Sequence, residues 1–83
     1  MSSTVAYNIQ TNMLIIVMKL LESLNTDEGV DENTYVATIE LIRQVIGHNA
    51  ADLAQKCIDA TDGRFYLSSE TTTTDLIIRL LEA

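Results

Sequence analysis

Residues 13–24 read MLIIVMKLLESL, and how this run is seated decides the fold. Met13, Ile16, Val17, Leu20 and Leu24 recur at intervals of three and four, as does Ile9 upstream, which places all of them on one side of a helix. Projected around the helix axis, the apolar residues span an arc of roughly 200°, from Ile16 and Ile9 through Leu20, Leu24, Val17, Leu21 and Leu14 to Met18. A helix packed on one side of a small bundle needs about half of that. Ile15 adds an apolar residue to the opposite face, beside Lys19 and Glu22. Two arrangements account for the surplus. Either this helix is central and flanked by all the others, or Leu14, Ile15 and Met18 remain exposed as a patch that closes by dimerisation or by holding a partner.

Outward from this run, the same periodicity returns three times. Tyr35, Ile39, Ile42 and Ile46 predict a second helix, and Ala50, Leu53, Ala54, Cys57 and Ile58 a third. In the fourth, Leu76, Ile77, Leu80 and Leu81 oppose Asp75, Arg79 and Glu82, with Asp75 and Arg79 at the favourable spacing of four. Asn33 or Thr34 is expected to cap helix two, Asn49 helix three, and a Ser or Thr from residues 68–74 helix four. Gly47 and Gly63 stand where left-handed helix stops are expected. Short joints make neighbouring helices antiparallel. The expected fold is therefore an all-α, small antiparallel four-helix bundle, with residues 1–83 as a single helical domain. The alternative is an α+β fold, because Val5, Tyr7 and Ile9 alternate as in a strand and Arg64 to Leu67 is strand-like. Residues 4–10 and 64–68 would then pair as a short two-stranded ribbon.

Composition narrows the function classes. The chain has 83 residues, 47% of them hydrophobic and 20% charged, which is the balance of a folded globule and not of a disordered chain. At this length a chain supports one small core and no large catalytic pocket. A lone Cys makes no internal disulfide, so a reducing cytoplasmic setting is expected. No basic start precedes the first apolar run, and Lys19 interrupts that run after six residues, so neither a signal peptide nor a membrane span is expected. Twelve acids against five bases give a net charge of −7, which opposes direct contact with nucleic acid or an anionic membrane.

Few residues of the chain have the spacing that metal, nucleophilic or carrier chemistry demands. Asp59, Thr61, Asp62, Gly63 and Glu70 suggest a calcium loop, but counting from Asp59 puts Glu70 twelfth and Gly63 fifth, where a glycine is needed sixth. A turn at Gly63 is the expected reading. His48 and Cys57, the single imidazole and thiol, are too few for a structural zinc site, and the helical phase of Cys57 predicts a buried core thiol in place of a nucleophile. An acyl-carrier role requires a serine after Asp at the start of the second helix, and none of Ser2, Ser3, Ser23, Ser68 and Ser69 follows an Asp. No catalytic residue, no cofactor and no metal are expected.

What remains is surface. The sequence predicts a small acidic protein-interaction module, not an enzyme: an adaptor, regulator or stoichiometric inhibitor acting through Leu14, Ile15 and Met18, toward a protein partner or a second copy. The acids Asp27, Glu28, Asp31 and Glu32 would form a loop that steers it to a basic partner. The alternative is an acidic, phage-type inhibitor competing for the nucleic-acid-binding site of its target.

Overall fold

The computed structural model describes the backbone of residues 3–68 and 70–83, with side chains from residue 11 onward. Four helices and one hairpin follow in the order α1 (Ser3–Leu24), α2 (Glu32–Val45), α3 (His48–Lys56), β1 (Ile58–Thr61), β2 (Arg64–Leu67) and α4 (Thr73–Glu82). The chain is mostly helical, but the antiparallel β1–β2 pair makes it α+β and not a pure four-helix bundle. The ribbon uses different partners from those expected. Residues 64–67 pair with 58–61, while residues 4–10 lie within α1.

The local reason for the hairpin is the Asp62–Gly63 pair. Both have positive φ, 52° and 77°, and with Thr61 opposite Arg64 they close a two-residue loop. Positive φ at both central positions is the type I′ geometry that matches the twist of the flanking strands. Gly63 is thus a hairpin residue and not a helix stop. Helix α3 ends earlier, at Lys56, where the Cys57 amide donates to the Leu53 and Ala54 carbonyls, and Ile58 begins the strand.

The caps correct the expected boundaries by a few residues. Asp31 caps α2, its carboxylate accepting from the Thr34 amide at 2.8 Å, so neither Asn33 nor Thr34 does so. A carboxylate there meets the positive end of the helix as well as its free amides. Gly47, not Asn49, stands at the start of α3, with φ 148° and ψ 174°, a region open only to glycine. Thr72 caps α4, accepting from the Asp75 amide at 3.1 Å, within the expected stretch.

The core gathers Val17, Leu21 and Leu24 from α1, Ile39 and Ile42 from α2, Ala50, Ala51 and Ala54 from α3, Leu67 from β2, and Leu76 and Leu80 from α4. The three alanines give α3 a flat face, so it packs closely on α2 and α4. Cys57 is a buried free thiol, as its helical phase predicts. One polar side chain, Thr38, is fully buried among the described residues, and its hydroxyl donates to the Thr34 carbonyl at 2.7 Å. Helix α1 has α2, α4 and strand β2 as its principal neighbours, so the hairpin takes a flank that the bundle reading gave to a helix.

Candidate interaction surface

The segment 25–31 is held in place by backbone bonds to the hairpin. Val30 and Phe65 exchange two hydrogen bonds of 2.9 Å, which adds Val30 to the outer edge of β2. The Arg64 guanidinium donates to the carbonyls of Glu28 at 3.0 Å and Gly29 at 3.2 Å. Asp31, Asp27, Glu28 and Glu32 are all exposed, but Asp31 is committed to its cap. Hydrogen bonding from Thr34, through its hydroxyl and then its amide, holds the Asp31 carboxyl below its ordinary range, with a smaller contribution from Arg64. The loop therefore combines a structural task with its charge. The hairpin turn, with exposed Asp62, is drawn to this loop by Arg64, the residue that follows the turn.

The apolar residues singled out on α1 lie on one side of that helix. Leu14 is half-buried, whereas Ile15 and Met18 are 45% and 41% exposed. Leu14 and Met18 join Val17, Ile46, Ile77, Leu80 and Leu81 in lining a hollow of about 70 Å³ between α1 and α4. Ile15 is not part of the lining but stands one turn from Met18 on the outer rim. The sequence reading missed the α4 half of this surface. Leu81 is 58% exposed and Ile78 51%. The signal was available: Ile78 breaks the polar face of α4, as Ile15 breaks that of α1. Met13 and Ile16, placed by periodicity on the packed side of α1, are also exposed. A volume of 70 Å³ is far below the roughly 300–1,000 Å³ of small-molecule pockets, so the hollow suits the end of an aliphatic side chain.

Other candidate sites are not assembled. His48 opens α3 and is exposed, while Cys57 follows its last residue and is buried, so the two are separated by the length of the helix. His48 thus stands where α2 gives way to α3, at the first residue of α3. Among the described residues no three His, Cys, Asp or Glu side chains are placed to hold a metal ion, Asp59, Asp62 and Glu70 included. No helix among them is long and apolar enough to cross a membrane.

Helix α2, a short turn, α3 and a hairpin also follow the order in which helix-turn-helix proteins present a second helix to DNA. Here that helix exposes His48, Asn49, Asp52, Gln55 and Lys56, one acid against one base. Arg43 on α2 is paired with Glu40, and the Arg64 guanidinium on β2 keeps its charge but is held against the loop that carries Asp27 and Glu28. With Asp59 and Asp62 at the hairpin, the local field opposes a phosphate backbone.

No family model, curated protein or solved structure matches the chain.

Proposed function

We propose that the protein is a small interaction module, acting as an adaptor, regulator or stoichiometric inhibitor, whose working surface is the apolar face shared by α1 and α4. The observation that carries this reading is the hollow lined by Leu14, Met18, Ile77 and Leu81, with Ile15 and Ile78 exposed on its margins. Two helices presenting half-exposed aliphatic side chains around an apolar hollow have the character of an interface core, where charged residues are depleted. Binding there works by occupying surface and needs no reacting group. The test is the double substitution Ile15→Asp, Met18→Asp. Complex formation is lost while helical circular dichroism is retained, and complexes that survive it rule this face out.

A second reading is carried by the acids at the opposite task. Asp27, Glu28 and Glu32 are exposed on the loop and helix start that the hairpin holds, and Asp59 and Asp62 are exposed on the hairpin itself. A surface of this kind fits the basic groove of a nucleic-acid-binding target, making the protein an acidic competitor for that groove. Its association would weaken steeply with salt, whereas binding through the α1/α4 face is nearly insensitive to it.

A further inference from the structure

We propose that the occupant of the α1/α4 face is a second copy of the same chain, joined by a two-fold symmetric contact. The inference rests on the reading of that face as the working surface and adds what covers it.

Charge distribution is the first argument. Helices α1 and α4 carry three acids, Glu22, Asp75 and Glu82, against two bases, Lys19 and Arg79. The rest of the chain carries nine acids against three bases, so −6 of the net −7 lies outside these two helices. A strongly basic partner would find its complement elsewhere on the molecule. Two copies approaching through α1 and α4 bring together nearly neutral surfaces, with the acidic remainder turned outward. That outward charge also opposes growth beyond the pair.

Area is the second argument. Ile15, Met18, Ile78 and Leu81 each leave about half of their side chain in water, and Leu14, Ile46 and Ile77 are partly open. Together these offer on the order of 350 Å² of apolar surface per copy. Interfaces are roughly 60% apolar, so two copies correspond to a contact of about 1,200 Å² in total, the lower bound for a specific interface. A symmetric contact doubles every favourable pair, because each hollow receives a side chain from the other copy. A contact at this lower bound is smaller than the interfaces of obligate dimers, so the pair is expected to be reversible.

The test is sedimentation equilibrium of the full chain over a range centred on tens of micromolar. The average mass is expected to rise from 9.2 kDa toward twice that value. Met18→Asp and Leu81→Asp each hold it at the monomer mass with unchanged circular dichroism, and Asp59→Ala on the hairpin leaves the doubling intact. Should Met18→Asp lose helical signal, Ile15→Lys, at a side chain that lines nothing, takes its place. A wild-type chain that stays monomeric overturns the second copy, while the interaction reading is judged separately by whether Ile15→Asp, Met18→Asp abolishes a heterologous complex. A doubling that survives both groove substitutions overturns the proposal and the assignment of the face together.

Discussion

The rings of Tyr35 and Phe65 lie stacked, with centroids 4.2 Å apart and planes inclined by 6°. Tyr35 belongs to the first turns of α2 and Phe65 to β2, so the stack ties the second helix to the hairpin. Phe65 is also the strand residue whose backbone holds Val30. One residue therefore ties the hairpin both to the loop carrying Val30 and to the start of α2, which directly follows that loop. Phe65→Ala is expected to destabilise the fold by about 2 kcal/mol, below the cost at a fully buried site because the residue is only partly buried. A double-mutant cycle of Tyr35→Ala and Phe65→Ala by urea unfolding should give a coupling of about 1 kcal/mol. Additive effects would show that the stack contributes only its separate burials.

Gly29 and Gly63 both have positive φ, 64° and 77°, but they differ in surroundings. A Cβ at Gly29 would collide with the Phe65 carbonyl oxygen and come within 2.9 Å of the Tyr66 ring, while one at Gly63 meets nothing within 4 Å. Gly63→Ala is expected to cost about 1 kcal/mol, the strain of the backbone alone. Gly29→Ala carries the same strain and also pushes the 25–31 loop off the hairpin, for about 2–3 kcal/mol in total. Equal losses in thermal unfolding would contradict the close approach.

These two positions also mark what was legible in the sequence. Spacings of three and four located α1, α2 and α4, and the phase of Cys57 gave its burial, because burial on one side of a helix leaves a local pattern. The hairpin was obscured because Cys57 and Ile58 continue the stripe of α3, so Gly63 served equally as a helix stop or a turn. Its pairing with residues 58–61 and with Val30 leaves no local periodicity. On α1, periodicity found the side on which Met13 and Ile16 stand but not how far the body extends beneath them. Leu14, Ile15 and Met18 were legible as surplus; their completion by Ile77, Ile78 and Leu81 required the packing of α4 on α1.

Asp31 gives a pH dependence with a defined sign. Its carboxyl titrates lower in the folded chain than in the unfolded one, so the unfolded state binds more protons in this range. Its contribution is fully present above the unfolded value of about 4 and is lost as pH falls through the lower folded value. Asp31→Asn retains an acceptor for the Thr34 amide but removes the titration. Comparing melting temperatures of the two proteins at neutral and acidic pH should show the gap between them closing on acidification. A gap that widens would reverse the assigned shift.

The Thr73 hydroxyl in the first turn of α4 is buried and has no hydrogen-bond partner. Thr73→Val replaces it with a methyl group of similar shape and removes an unsatisfied polar atom, for an expected gain of about 1 kcal/mol. A loss of stability in urea unfolding would mean that the hydroxyl is satisfied in solution.

The central claim is that the face shared by α1 and α4 closes on a second copy of the chain. Hydrogen exchange of the wild-type chain tests it most directly when run at concentrations well below and well above the midpoint of the mass increase. Slower exchange at the higher concentration is predicted for residues 14–21 and 77–82, with residues 58–67 unchanged. Slowing confined to the hairpin and the acidic loop, or no change in α1 and α4, would contradict it.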